Sequence, residues 1–264
     1  MRTKPGRVSA EIWWAAVRPT DEAAIALLSA AERERSARFH RIPDRDRFVS
    51  SRVLLRAVVA GRLGLTTTEV SLRQSCSTCG GGHGPVKVVD ASPPLEVSLS
   101  HTGDRVVVAV SGSPVGVDIE RIRPLEDVER MMAVALSPEE RRSVAALPPS
   151  ERSTAVLAAW TRKEAVLKAW GCGLTSISPT RLTVSSQGGE HLLTARPPEA
   201  PATPVRLRTL TGGLSAGYAG ALAVAASEGH DVPLVVTERN ADALLRGATA
   251  QAGVTSARPY EEGL

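Results

Sequence analysis

The stretch Asp104-Arg105-Val106-Val107-Val108-Ala109-Val110-Ser111 (DRVVVAVS) returns late in the chain as Gly220-Ala221-Leu222-Ala223-Val224-Ala225-Ala226-Ser227 (GALAVAAS). Each reads as a strand, a short apolar run bounded by turn residues. Each also lies downstream of a long helical pattern that stops at glycine with a similar sequel. That sequel is Arg62-Leu63-Gly64-Leu65-Thr66 in one case and Gly171-Cys172-Gly173-Leu174-Thr175 in the other. Self-similarity at a spacing of roughly a hundred residues points to two copies of one αβ unit. The class expected is therefore α+β, a pseudo-dimer of two similar αβ subdomains with helices segregated onto small antiparallel sheets. The divisions expected are 1–112, 113–228 and a C-terminal extension at 229–264. The extension reads as a short strand and helix over 233–247 and then a frayed tail, with no function attached.

Around these anchors the remaining pattern is regular. Residues 21–40 carry helical spacing at Ile25, Leu28 and Ala31, and 44–63 carry a stronger helix with Phe48, Leu54, Leu55, Val58 and Val59 near one stripe. A Cys/Gly-rich loop at 76–85 precedes a strand at 86–89. Residues 95–99 and 105–110 read as a hairpin turning at Thr102-Gly103-Asp104. Val115–Ile119 is a further strand, 125–146 is helical, and a Pro148-Pro149 break precedes a long helix at 151–170. Strands are then expected at 181–185, 191–196, 204–210 and 218–226.

The 264 residues are enough to bury a substantial core, and 42% hydrophobic with 23% charged residues is ordinary for a soluble globular protein. Aromatics are scarce at 3%, so Val, Leu, Ala and Ile must build that core. A formal charge of +4 does not by itself argue for nucleic acid, but suits an acidic or phosphate-bearing partner. No apolar run is long enough to span a bilayer, and the basic N-terminus reads as a first strand rather than a signal peptide. Cys76, Cys79 and Cys172 make no disulfide framework, which indicates a reducing, cytoplasmic setting. Cys76, Cys79 and His83 look like half a zinc site, but no second pair closes a tetrahedral shell; a glycine-rich loop with free thiols is preferred.

Three segments carry candidate chemistry. In Gly116-Val117-Asp118-Ile119-Glu120 the alternation puts Asp118 and Glu120 on one strand face, where they repel unless a metal or arginines lie between them. The plain alternative is a solvated polar face paired with Arg121 or Arg123. In Trp160-Thr161-Arg162-Lys163-Glu164-Ala165-Val166-Leu167-Lys168, Glu164 and Lys168 share a helix face, with a surface ion pair as the plain alternative. Only four of the chain's 32 Lys and Arg residues are lysines, and Lys163 and Lys168 are two of them. Ser100 and His101 end a strand in a turn, where a histidine is often only a hydrogen-bonded turn residue. There is no GxGxxG after a strand, no Walker A sequence and no GxSxG.

Together, Ser100-His101, GVDIE and WTRKEAVLK resemble the 4′-phosphopantetheinyl transferases of the larger, surfactin-synthetase-activator type, whose signatures are GxDxE and WxxKEAxxK. The resemblance covers roughly residues 10–228 and includes a basic first-helix region. It implies a pseudo-dimer with coenzyme A in the cleft between the halves, and a soluble monomer. It implies transfer of the phosphopantetheine arm of coenzyme A to a serine of an acidic apo acyl or peptidyl carrier protein, leaving adenosine 3′,5′-bisphosphate. Asp118, Glu120 and Glu164 would ligate Mg²⁺, Glu164 would accept the serine proton, and Lys168 would face the phosphates with Lys163 as a second phosphate or structural contact. Ser100 and His101 would meet the nucleotide's phosphates, Arg47 the 3′-phosphate, and Arg35 the same patch. Two departures stand out: Gly84-Pro85 lacks the family's basic residue before proline, with Lys87 two residues later, and Cys172 replaces a common lysine. Carrier docking is expected near 171–200. The alternatives are a transferase-like protein that binds coenzyme A or carriers without chemistry, and an unrelated metal-dependent phosphotransferase.

Overall fold

Two long helices, each laid on a sheet, organise the molecule. The computed structural model describes residues 8–75, 80–81, 84–172, 176–187, 190–211, 217–226 and 233–256, apart from the side chains of 185–195 and 251–256. The first half runs β1 (Val8–Ala16), α1 (Glu22–Ala26), α2 (Ala30–Ala37), α3 (Ile42–Leu63), β2 (Leu72–Gln74), β3 (Val86–Val88), β4 (Glu96–Thr102) and β5 (Arg105–Ser111). The second runs β6 (Val115–Arg121), α4 (Val128–Ala135), α5 (Pro138–Ala145), α6 (Pro149–Ala169), β7 (Thr183–Gln187), β8 (Glu190–Ala195), β9 (Val205–Thr209) and β10 (Tyr218–Ala225). The chain then continues into β11 (Leu234–Asn240) and α7 (Asp242–Ser256).

The internal echo is real in strand order. β5 pairs antiparallel with β1 on one side and β4 on the other, and β10 pairs in the same way with β6 and β9. The full orders are β11-β1-β5-β4 and β6-β10-β9-β8-β7, with β2 and β3 as a separate hairpin. One face of the first sheet, through Ile12, Trp14, Val107 and Ala109, packs on Val117, Ile119, Leu222 and Val224 of the second. The outer faces carry the helices, α3 with Val106, Val108 and Val110, and α6 with Ala221 and Ala223. The result is four layers, helix, sheet, sheet and helix.

The helices begin and end for local reasons. Pro43 lies in the first turn of α3, Gly64 closes it in the left-handed region at φ 68°, and every residue from Phe48 to Ala60 is buried. The single helix expected over 21–40 is instead α1 and α2. Ser29 starts α2 with a capping box to Glu32, and this separates it from α1. Ser137 and Glu140 do the same between α4 and α5, dividing the region expected at 125–146. The helical pattern holds in both regions, and the serine caps divide it.

The C-terminal extension is not an appendage. β11 runs parallel to β1 at the edge of the first sheet, and Leu245 of α7 joins the core beneath α3. The Ala16 amide donates to Asp242 Oδ1 at 2.7 Å, and Trp14 Nε1 donates to Glu238 Oε2 at 3.0 Å. The first subdomain is therefore completed by residues from the far end of the chain. Among the described residues no helix is long and apolar enough to cross a membrane.

Candidate active site at the seam of the two halves

Strand β6 is the floor of the site. Its Val117 and Ile119 enter the core between the sheets, so Gly116, Asp118 and Glu120 turn to α6. At Gly116 the helix lies almost on the strand: an added Cβ would stand 2.0 Å from the Ala165 carbonyl oxygen and 2.5 Å from the Ala169 nitrogen. The glycine of GVDIE thus allows the approach that sets Glu164 and Lys168, flanking this contact, beside the strand carboxylates. Lys168 Nζ donates to Asp118 Oδ1 at 2.8 Å and to the Val117 carbonyl at 3.1 Å.

The first half supplies the opposite wall. Ser100 Oγ of β4 donates to Asp118 Oδ1 at 2.9 Å and accepts from the Ile119 amide at 3.3 Å. Ser98 Oγ accepts from the Val117 amide at 3.0 Å, and Thr102 Oγ1 donates to Glu120 Oε2 at 3.2 Å. Ser100 was expected at the nucleotide's phosphates. Its hydroxyl is committed to β6 instead, and the side chain is only 8% exposed.

Two buried carboxylate oxygens, Asp118 Oδ2 and Glu164 Oε1, have no hydrogen-bond partner. Burial raises the Glu164 pKa; Lys168 opposes this, and Asp118 and Glu120 add to it. Burial and then Asp118 likewise raise Glu120, against the Thr102 hydrogen bond, Arg123 and Lys168. The three carboxylates therefore feel one another. Among the described residues, however, no three His, Cys, Asp or Glu side chains are gathered as a metal-holding group. The Lys168 ammonium already supplies a positive charge at Asp118. Oxygen-only donors with buried, unpartnered atoms are the set a hard divalent cation such as Mg²⁺ prefers, so the residues fit such an ion.

His101 lies on the other side of β4 from Ser100. Its ring is exposed but sits in a crowded recess, and burial followed by the cations Lys168 and Arg47 holds its pKa down to about 4. At neutral pH the imidazole is therefore uncharged and can donate or accept a hydrogen bond. Arg47 is held to the adjacent turn, donating through Nη1 to the Gly103 carbonyl at 3.0 Å and pairing with Asp44.

Beyond Arg47 a cavity of about 650 Å³ opens between α2, α3 and the β2–β3 hairpin. Arg35 and Arg52 place their guanidinium carbons 5.2 and 5.3 Å from the Phe48 ring centre, and Arg38 and Phe39 also line the space. Arg35 was expected here. Arg38, Phe48 and Arg52 are not among the expected site residues, and Phe48 reads from its spacing as part of the apolar stripe of its helix. Burial lowers the Arg52 pKa to about 10, with Glu32 opposing, so the side chain stays charged at neutral pH. A second cleft of about 200 Å³, on the Lys168 side, is lined from both halves by Pro85, Val97, Val115 and Trp170. Lys87 borders it and pairs with Glu96 at 2.6 Å.

Of the two roles expected for Lys163, phosphate contact or structural contact, its surroundings favour the structural one. Lys163 is fully buried, and its ammonium donates to the Ala135 and Pro179 carbonyls, each at 2.8 Å, and pairs with Glu140. Three donors meet three acceptors inside the second half, so no phosphate reaches it. The cysteines and histidine of the 76–83 loop lie outside the described residues. Cys172 closes α6, its amide donating to the Leu167 carbonyl at 2.9 Å after the left-handed Gly171, and burial pushes its thiol up.

Two family models match the chain in succession: "4′-phosphopantetheinyl transferase, N-terminal" over residues 13–113, and "4′-phosphopantetheinyl transferase superfamily" over 114–223. Among similar proteins, a 4′-phosphopantetheinyl transferase of Bacillus subtilis is 30% identical over 38% of this chain and 42% of its own length. The 4′-phosphopantetheinyl transferase psf-1 of Bacillus pumilus is 32% identical over 38% and 40%. The chain thus spans about two fifths of the length of the curated relatives it matches. A holo-(acyl-carrier-protein) synthase of Bacillus anthracis, solved in complex with CoA (3′,5′-ADP), is 24% identical with a TM-score of 0.38, covering 44% of this chain and 97% of that one.

Proposed function

This chain belongs to the 4′-phosphopantetheinyl transferase superfamily, and on that premise we propose that it moves the phosphopantetheine arm of coenzyme A onto a serine of an apo carrier protein. The observation that carries the reading is the seam itself. Asp118 and Glu164 hold buried carboxylate oxygens without partners, with Lys168 against them and an arginine-lined cavity nearby.

Asp118, Glu120 and Glu164 would hold Mg²⁺, which supplies charge neutralisation for the pyrophosphate. The adenine and 3′-phosphate end fits the cavity of Arg35, Arg38 and Arg52, where Phe48 offers a flat apolar wall and guanidinium groups suit phosphate. His101, within the influence of Lys168, Arg47 and Arg52, would meet phosphate as an uncharged donor. Lys168 keeps its ammonium beside Asp118 and the transferred phosphoryl group.

Chemically, the serine oxygen bonds to the β-phosphorus while the bond from that phosphorus to the bridging oxygen breaks. The bridging oxygen leaves with adenosine 3′,5′-bisphosphate. The serine proton goes to Glu164, whose raised pKa makes it a stronger base than an ordinary carboxylate. The net charge of +4 favours an acidic carrier, so added salt should weaken recognition. We take the working unit to be a monomer in the cytoplasm, since both αβ halves and the seam between them come from one chain.

The test incubates the chain with coenzyme A, Mg²⁺ and several apo acyl and peptidyl carriers, following nucleotide by chromatography. Release of one adenosine 3′,5′-bisphosphate per carrier is expected. No release with any carrier overturns the reading and leaves binding without chemistry.

A further inference from the structure

Strands β4 and β6 are neighbouring edges of different sheets, and no backbone ladder joins them. Three hydroxyls on one face of β4, spaced two residues apart, span the gap. Ser98 takes the Val117 amide, Ser100 takes the Ile119 amide and gives its proton to Asp118, and Thr102 gives its proton to Glu120. Both amides would otherwise be edge donors without a partner on that side; Glu120 would lose the Thr102 hydroxyl, and Asp118 would be held by Lys168 alone. The Thr102 end of this row is anchored as well. The turn after Thr102 is pinned by Arg47 on the Gly103 carbonyl and by Tyr218, whose hydroxyl accepts from the Asp104 amide at 3.2 Å.

We propose that Ser100 and Thr102 are positioning residues: β4 of the first half fixes the carboxylates of the second half and thereby sets the site's affinity for a divalent cation. The proposal rests on the transfer reading only for the identity of the site. It reassigns Ser100 from phosphate contact to carboxylate support. Each hydroxyl donates to one oxygen of its carboxylate, and on Asp118 this leaves Oδ2 as the bare atom. Groups that orient a ligand in this way typically govern metal affinity by 10- to 100-fold.

The experiment titrates Mn²⁺ into the chain by calorimetry and by electron paramagnetic resonance, with and without coenzyme A. Ser100→Ala is expected to weaken Mn²⁺ binding by roughly tenfold or more, and Thr102→Val in the same direction by less. Thr102→Ser, which keeps the hydroxyl, should restore affinity, and melting temperatures should stay near that of the wild type. If Ser100→Ala fails to fold, the Thr102 pair decides alone, since valine and threonine are near-isosteric strand formers. Wild-type Mn²⁺ affinity in the folded hydroxyl-free variants overturns the proposal. A wild type that binds Mn²⁺ without transferring the arm sinks the transferase reading and leaves this one standing; a wild type that binds no Mn²⁺ sinks both.

Discussion

The two halves share a frame down to single residues and differ where chemistry is needed. In each half a capping-box glutamate reaches a buried cation on the long helix: Glu32 pairs with Arg56 at 2.7 Å, and Glu140 pairs with Lys163. Each long helix ends at a left-handed glycine, Gly64 at φ 68° and Gly171 at φ 67°. The residue after the cation, however, is Ala57 in one half and Glu164 in the other. The helix-facing positions of the first strand include Trp13 and Ala15, against Gly116, Asp118 and Glu120 in the second half. The frame is common to both halves, and the second differs in carrying carboxylates on the strand and a glycine that lets the helix reach them. The choice of cation follows the same logic. Arg56 spreads its fork between Glu32 and the Val70 carbonyl, whereas Lys163 points one compact ammonium at three acceptors in a sealed space.

Breaking this difference should have graded effects. The largest is expected from Glu164→Gln, which removes the base proposed for the second half; transfer should fall by roughly 100-fold or more while coenzyme A binding, measured by calorimetry, survives. Lys163→Met strands the buried Glu140 and should cost about 3–5 kcal/mol in urea unfolding. Arg56→Met takes the nearest cation from the half-buried Glu32 and should cost less, because Arg52 stays 3.8 Å away; no cost at all in the first half breaks the parallel. Gly116→Ala puts a methyl group onto helix backbone and should cost about 1–3 kcal/mol, with transfer falling as α6 is pushed away.

The smallest effect concerns pH. Glu120 and Glu164 have raised pKa values in the folded, cation-free protein, so the folded state holds more protons than the unfolded state above the ordinary carboxylate range. Their contribution to stability is favourable at low pH and is lost as pH rises through the folded values. Thermal melts of Glu120→Gln without divalent cations should show a flatter fall with rising pH than the wild type. An unchanged slope contradicts mutual repulsion at the seam.

Much of this was legible in the sequence because it is local or repeated. The recurring strand gave the pseudo-dimer, and alternation in GVDIE placed Asp118 and Glu120 together. What stayed hidden depends on contacts between distant segments. Nothing around Lys163 says that the Pro179 carbonyl and Glu140 close over it, so it reads as a phosphate contact as readily as a structural one. Ser100 reads as a ligand contact until β6 is seen beside it. Phe48 and Arg52 read as helix interior, because a helix buried along its middle still opens one side to a cavity. The pairing of β11 with β1 joins residues more than two hundred positions apart, for which a strand pattern carries no address.

The most direct measurement is the intact mass of an apo carrier protein after incubation with coenzyme A, Mg²⁺ and either the wild-type chain or Glu164→Gln. If the second half carries the chemistry, the wild type adds one phosphopantetheine group per carrier serine, and Glu164→Gln leaves the mass unchanged in the same interval. An unmodified carrier with the wild type, or equal modification by both, contradicts it.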